Sequence, residues 1–242
     1  KETVRKNQKD LISNNKSDIK FKFDSTSGST GTPLRLLIDD VTMINKKAII
    51  LRSAKWSDYS FTDTRFSLQS YFSDNHTLYK YGYKDYRFDS NKLTKDTAKT
   101  LVRDLNDLKP EFYVGYPFSF LMLGQLAGEL GLPLHSPKVM IVAGETLSEY
   151  RRSQLKKIYD CKVYDVYSLH ECSAFISECE HSMKHLAEDF AHNEVINGKG
   201  EIINTGRGEL VGTSLYNRSM PLIRYRTGDQ IVLGDRGCRC GR

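Results

Sequence analysis

Lys138-Val139-Met140-Ile141-Val142-Ala143-Gly144-Glu145 is the stretch on which the fold class turns. Five apolar residues in a row, without polar alternation and closed by Gly-Glu, predict a strand buried on both faces. Outward in both directions the pattern alternates. Upstream, Pro117 to Leu130 predicts a mostly apolar helix ending at Gly131, and Phe112-Tyr113-Val114 predicts a short strand before it. Before that strand, Thr94-Lys95-Asp96 opens an amphipathic helix with Ala98, Leu101, Val102, Leu105 and Leu108 on one side, stopped ahead of Pro110. Downstream, Ser148 caps a helix running through Tyr159, and Lys162-Val163-Tyr164-Asp165-Val166-Tyr167 is the next strand. Strand and helix alternating at this spacing imply an α/β fold, with parallel sheets and helices packed on them.

The flanks are less regular. Residues 1–20 are polar and Lys/Asn-rich and predict the tail of a helix or a frayed lead-in. Val41, Ile44, Ala48 and Leu51 recur at helical spacing across residues 39–56, with Asp39 or Asp40 as the N-terminal cap. Residues 57–90 show no clear period and predict short strands and loops. Beyond Gly198, the runs Glu201-Ile202-Ile203, Gly208 to Leu215 and Ile231-Val232-Leu233 predict a smaller β-rich, barrel-like or sheet portion. The expected organisation is a polar leading segment (1–24), an α/β nucleotide-binding core (25–197) and a β-rich subdomain (198–242).

Composition bounds the function. The chain has 242 residues, 39% hydrophobic and 27% charged, as an ordinary water-soluble domain does, and no run is long enough to span a bilayer. It opens on Lys1-Glu2-Thr3 without an apolar signal segment, so the expectation is cytoplasmic and not membrane-bound. Five cysteines, an odd number, argue against a secreted disulfide framework. Of the net charge of +6, residues 1–22 hold +4, with seven Lys/Arg against three Asp/Glu. With no basic stripe elsewhere, nucleic acid is not an expected partner.

Three stretches carry chemistry. Ser25-Thr26-Ser27-Gly28-Ser29-Thr30-Gly31-Thr32-Pro33 combines hydroxyls with two glycines, suiting a cradle for phosphate oxygens, though it is no Walker motif because no Gly-Lys-Ser/Thr follows. Read on composition alone, it is a Ser/Thr/Gly linker. Tyr167-Ser168-Leu169-His170-Glu171 follows a buried strand, where ligands of open parallel sheets bind. The Glu171 carboxylate there is a candidate ligand for Mg2+. Tyr225-Arg226-Thr227-Gly228-Asp229 precedes the last predicted strand; Asp229, at a tight Thr-Gly turn, could accept the hydroxyls of a ribose or simply form the turn.

Together these stretches resemble the adenylate-forming enzymes, and within them the phenylacetate–CoA ligase and CapK-like group. The resemblance runs from Ser25 to Arg242 and includes Gly115-Tyr116-Pro117, Ala143-Gly144-Glu145, His185-Leu186-Ala187-Glu188-Asp189, Gly208-Glu209-Leu210-Val211, Met220 to Tyr225 and Cys238-Arg239-Cys240-Gly241-Arg242. It implies that Ser27, Gly28, Ser29, Thr30 and Gly31 hold the ATP phosphates. It implies further that Gly144, Glu145 and Thr146 line the adenine site with Tyr167 against the base. Glu171 would bind Mg2+, Asp229 the ribose, and Arg226 the ribose or α-phosphate. The acid substrate would lie near Tyr113, Tyr116, Pro117 and Ala143. Glu171, His170 and Thr30 would be the catalytic residues. The implied reaction activates a small carboxylic acid with ATP to an acyl-adenylate, releases pyrophosphate, and passes the acyl group to a thiol, usually coenzyme A. The alternative reaction adenylates an amino or aryl acid for loading onto a carrier protein's thiol, and a non-catalytic nucleotide-binding module is the alternative class. Two positions depart from the pattern: Leu34 where many members have Lys, and His170 where Ser or Thr usually precedes the Glu. The family's small C-terminal domain, with its catalytic Lys, would follow Arg242. The expectation for residues 1–242 is therefore a core that binds nucleotide better than it turns over.

Cys179, His185, Cys238 and Cys240 form a separate constellation. On an extended segment residues two apart face one side, so Cys238 and Cys240 can share an ion. With Cys179 and His185 they make a Cys3His set suited to structural Zn2+, with His181 and Cys172 as reserve ligands. The alternative is a set of unrelated cysteines. Cys161, opening a strand, reads as core.

Overall fold

A computed structural model describes residues 1–14, 19–25, 34–70, 76–234 and 237–242. In chain order its elements are α1 (Glu2–Lys6), β1 (Phe21–Ser25), β2 (Arg35–Asp39), α2 (Asp40–Trp56), β3 (Arg65–Gln69), β4 (Tyr79–Gly82), β5 (Asp85–Asp89), α3 (Lys95–Leu108), β6 (Phe112–Gly115), α4 (Pro117–Glu129), β7 (Val139–Ala143), α5 (Glu149–Tyr159), β8 (Lys162–Ser168), β9 (Phe175–Glu178), β10 (Lys184–Leu186), β11 (Ala191–Ile196), β12 (Gly206–Ser214) and β13 (Tyr225–Leu233). A 3-10 turn, Ser90–Lys92, joins β5 to α3. The chain divides into two compact units, residues 54–166 and a discontinuous unit of residues 1–53 with 167–242. Those divisions differ from the ones expected at 24/25 and 197/198.

In the 54–166 unit the strand order is β8-β7-β6-β3-β5-β4. Every pairing from β8 across to β5 is parallel, and β4 closes the edge antiparallel to β5. The α3 helix begins where the sequence says: Thr94 and Thr97 exchange backbone and side-chain bonds in a capping box. It ends because Lys109 turns into the left-handed region just before Pro110. Its Ala98, Leu101, Val102 and Leu105 are buried with Phe66, Leu68, Phe120 and Tyr159 in one apolar cluster. Tyr113 belongs to that cluster. It is 0% exposed and stacks on Phe120 at 5.6 Å, so it packs as a core residue.

The second unit buries its own apolar residues, Leu36, Ile38, Phe175, Leu210 and Met220 among them, and links distant segments through polar groups. β1 pairs antiparallel with β2, Phe21 opposite Asp39. Asp39 caps α2: Oδ1 accepts from the Thr42 N–H and hydroxyl, both at 2.7 Å, while Oδ2 accepts the Arg218 N–H at 2.8 Å. Burial pushes this carboxyl up, but the Thr42 and Arg218 donors outweigh it and hold the group below the usual carboxylate range. The Leu37 carbonyl accepts the Asn217 side-chain amide at 2.9 Å and has the Ser219 hydroxyl at 3.1 Å. The expected apolar stripe of α2 is the wrong face: Val41, Ile44 and Ala48 are exposed, and Thr42, Ile49 and Ser53 are buried. The reason is Asp39, whose bonds to Thr42 turn that residue inward.

The C-terminal portion is an open antiparallel sheet, β11-β12-β13, rather than a closed barrel. Glu201-Ile202-Ile203 contributes a single bridge, Ile196 to Ile202, not a strand. β9 and β10 form a further antiparallel pair.

Candidate active site

The strand β13 sets the geometry. Asp229 was expected at a turn; it lies within the nine-residue strand, which passes through Gly228 with φ of +79°, a conformation that favours glycine. The register of β12 and β13 shifts between Glu209 and Val211, and Glu209 Oε1 accepts the Gly228 N–H at 3.0 Å. Period-two alternation puts Tyr225, Thr227 and Asp229 on one face and Arg226 on the other. Thr227 is buried, its hydroxyl donating to the Leu210 carbonyl at 2.8 Å, while its Oγ1 accepts the Asp229 N–H at 3.0 Å.

On that face two phenols hold two carboxylates. The Tyr167 hydroxyl donates to Asp229 Oδ2 at 2.6 Å, and the Tyr225 hydroxyl donates to Glu171 Oε1 at 2.7 Å. Burial first, and then the accepting carboxylate, pushes both tyrosines well above their ordinary values, so both remain donors across the working pH range. Each tyrosine also feels the charge of the other's carboxylate, so the four side chains make one electrostatic unit. Glu171 is only 3% exposed, and Tyr225 is the side chain that orients it. One oxygen is thus fixed while the hard carboxylate donor set stays suited to Mg2+.

Beside them, His170 Nδ1 lies 3.1 Å from Asp24 Oδ2. That bond to His170, against the opposing effect of burial, holds the Asp24 carboxyl below its usual range. Asp24 stands immediately ahead of the hydroxyl-rich stretch Ser25–Pro33 in sequence. Lys46 Nζ donates to the Leu169 carbonyl at 3.1 Å. Ser27, Gly28, Ser29, Thr30 and Gly31 lie outside the described residues.

Arg226 does not join this cluster. Its side chain is exposed and pairs with Glu209 through Nε at 2.9 Å and through Nη2, on the opposite face of the strand. A cleft of about 390 Å³ opens there, lined in part by Asn197, Lys199, Arg207 and Arg226, and contains none of the other expected site residues.

In the 54–166 unit, the residues expected at the adenine base follow β7. Gly144 has φ of +82°, and a Cβ there would come within 2.8 Å of the Tyr116 ring, so Gly144 and Tyr116 pack flush at the carboxyl ends of neighbouring strands. The Glu145 carboxylate accepts the Phe118 N–H at 3.2 Å in the first turn of α4 and lies 3.6 Å from Arg151. Arg151 also reaches the Thr146 carbonyl at 3.2 Å. Pro117 is buried as the first residue of α4, and Tyr116 and Ala143 are half-buried.

The metal-ligand set does come together. The ligand atoms of Cys179, His185, Cys238 and Cys240 all lie within 4.8 Å of one another. The reserve ligands do not join: Cys172 is buried with its thiol against the His170 carbonyl, and His181 contributes only its backbone N–H. Cys161 packs at the edge of the apolar core, where burial pushes its thiol up to about 12.

No protein-family model matches the chain. Over 139 residues, 57% of this chain and 30% of the relative, it is 25% identical to Protein CapK of Staphylococcus aureus. It is 34% identical over 108 residues to a phenylacetate-coenzyme A ligase of Thermus thermophilus, covering 42% of this chain and 24% of that protein. A phenylacetate-coenzyme A ligase of Aromatoleum evansii is 30% identical over 53% of this chain and 31% of its own length. Among solved structures, an open conformation of 2-hydroxyisobutyryl-CoA ligase in complex with 2-HIB-AMP and CoA superposes with a TM-score of 0.79 at 22% identity, covering all of this chain and 56% of that one. The fold is that of the adenylate-forming acyl-CoA ligases. Anthranilate CoA ligase AuaEII, in complex with anthranoyl-AMP, superposes on the same fold with a TM-score of 0.58, at 13% identity over 88% of this chain and 45% of that one. The chain spans between about a quarter and a third of the curated relatives named here.

Proposed function

We propose that this chain is the nucleotide-binding core of an AMP-forming acid–thiol ligase of the phenylacetate–CoA ligase and CapK-like kind. The observation that carries the reading is the pair of carboxylates, Glu171 and Asp229, each fixed by a phenol, the buried Tyr225 and the half-buried Tyr167. Asp229 presents its carboxylate to the two hydroxyls of a ribose. Glu171 contributes a ligand to Mg2+, which when bound supplies positive charge to the triphosphate. His170, anchored by Asp24, donates to an α-phosphate oxygen as charge builds there. Ser27 to Gly31 cradle the remaining phosphates. The carboxylate of a small organic acid attacks the α-phosphorus, the bond to the bridging oxygen breaks, and pyrophosphate leaves with that electron pair. The resulting acyl-adenylate is then opened by a thiol, coenzyme A in this reading. The residues supply positioning and charge rather than a covalent bond. We place the reaction in the cytoplasm.

The test is ATP–pyrophosphate exchange by the full-length protein with a panel of aliphatic and aryl acids. Glu171→Gln and Asp229→Asn each lower exchange by about 10²–10³-fold, whereas Arg226→Ala, on the opposite face, leaves it nearly unchanged. Equal losses in all three variants would sink the assignment. Acyl transfer to a carrier protein but not to coenzyme A would replace the acceptor; tight ATP binding without exchange for any acid would leave a nucleotide-binding module.

A further inference from the structure

We infer that Cys179, His185, Cys238 and Cys240 are a closed structural Zn2+ site that pins the segment Cys238–Arg242 to the β9–β10 turn. This inference is independent of the nucleotide reading, because none of the four residues belongs to the carboxylate–phenol cluster.

The argument begins with spacing. Zinc holds thiolate sulfur at about 2.3 Å and imidazole nitrogen at about 2.0–2.1 Å in a tetrahedron, which places neighbouring ligand atoms roughly 3.5–3.8 Å apart. Cys179 Sγ and Cys238 Sγ are 3.6 Å apart, and Cys240 Sγ and His185 Nε2 are 3.3 Å apart. A disulfide would bring two sulfurs to about 2.05 Å, and all the cysteines are free thiols. Four soft donors converging from two stretches more than fifty residues apart in sequence is the arrangement of a metal site, not of packed core cysteines.

The surroundings are built for ligation. Beyond β9 the chain turns back through Ser182, whose φ is +59°, with the Ser182 N–H donating to the Cys179 carbonyl at 2.9 Å and the Cys179 N–H to the Met183 carbonyl at 2.8 Å. This turn sets Cys179 and His185 side by side at one end of the hairpin. The His181 N–H points at Cys179 Sγ at 3.4 Å, a donor that stabilises thiolate charge. On the other stretch, the Gly241 N–H donates to the Cys238 carbonyl at 3.2 Å, folding Cys238 and Cys240 into one tight turn. An ion pair between Arg242 and Glu180 at 2.6 Å ties the two stretches a second time. Three thiolates and an imidazole complete a tetrahedron with no open position, so the ion is structural rather than catalytic. Sulfur donors also select zinc over Mg2+ or Ca2+.

The experiment uses the full-length protein purified without added chelator. Elemental analysis should give about one zinc per chain, and cobalt substitution should yield tetrahedral ligand-field bands with sulfur-to-cobalt charge transfer. His185→Cys, which keeps four soft ligands, should retain the ion, while Cys238→Ser/Cys240→Ser should lose it. If the double variant fails to fold, a thiol-directed mercurial titrated against wild-type protein should release the zinc as three thiols react. Removal of the ion should raise hydrogen exchange across residues 179–185 at least tenfold. A metal-free protein, an iron–sulfur absorption spectrum, an octahedral cobalt spectrum, or zinc surviving the double substitution would each overturn the inference.

Discussion

The two compact units both bury apolar side chains, and they differ in what is added to that packing. Residues 54–166 rest on a continuous apolar cluster in which Phe66, Leu68, Leu105, Tyr113, Phe120 and Tyr159 are fully buried. Residues 1–53 with 167–242 bury Asp39, Glu171, Asn217, Ser219 and Thr227 and connect them by directed hydrogen bonds. Apolar packing is forgiving in direction and proportional to area. Buried polar bonds are directional, and breaking one leaves a partner stranded. The unit with the carboxylate–phenol cluster has its own apolar core, Leu36, Ile38, Phe175, Leu210 and Met220 among it, and adds directed bonds around its carboxylates. Placing carboxylates to within a fraction of an ångström is a task for directed bonds.

The sharpest way to break this contrast is Leu105→Ala. It removes a fully buried side chain from the apolar unit and should cost about 2–5 kcal/mol, read as increased hydrogen exchange in peptides covering residues 98–127. An equal rise in peptides covering residues 36–53 would mean that the two units do not unfold separately. Next comes Asp39→Ala, which strips the cap of α2 and strands the Thr42 and Arg218 donors. A loss of about 2–3 kcal/mol is expected, read in peptides covering residues 36–53 and 210–225.

The same carboxylate has a pH signature. Because its folded pKa is depressed, its contribution is complete above the unfolded value of about 4 and is lost as pH falls through the folded one. Asp24, depressed by its bond to His170, contributes with the same sign. Denaturant titrations from pH 6 down to 3 should therefore show a smaller acid-induced loss for Asp39→Asn than for the native chain. Parallel curves would remove Asp39 from the account.

The smallest effect separates two tyrosines in the apolar unit. The Tyr159 hydroxyl donates to the Phe120 carbonyl at 2.8 Å, while the buried Tyr113 hydroxyl has no partner among the described residues. Tyr159→Phe should cost about 1 kcal/mol, and Tyr113→Phe should be neutral or slightly stabilising in the same denaturant assay. A clear loss at Tyr113 would point to a partner for its hydroxyl.

What could be read from the sequence follows the same division. The periods of Lys95–Leu108, Pro117–Glu129 and Val139–Ala143 reflect one-sided or total apolar burial, and the elements fall where that pattern ends. In the other unit, the polar residues Thr42 and Ser53 face inward and Ile44 faces outward, so hydropathy pointed α2 the wrong way. Asp39 as a cap was visible; its reach to Arg218 was not, because 179 residues separate them. Tyr225 was within reach: once the motif is laid on a strand, alternation pairs it with Asp229 and sends Arg226 away. Asp24 carried no signal beyond standing next to the hydroxyl-rich loop. The convergence of Cys179, His185, Cys238 and Cys240 was readable because thiols and imidazole are scarce and chemically particular.

The discontinuity of the unit formed by residues 1–53 and 167–242 has a consequence during synthesis. A nascent chain completes β2 and the start of α2 long before Asn217, Arg218 and Ser219 exist to meet the Leu37 carbonyl and Asp39. At about 5–20 residues per second, the ribosome takes roughly ten to forty seconds to deliver them. Through that interval residues 54–166 can already settle around their own cluster, so the early β1–β2 pair waits, solvated or chaperoned, for residues 217–219 to emerge.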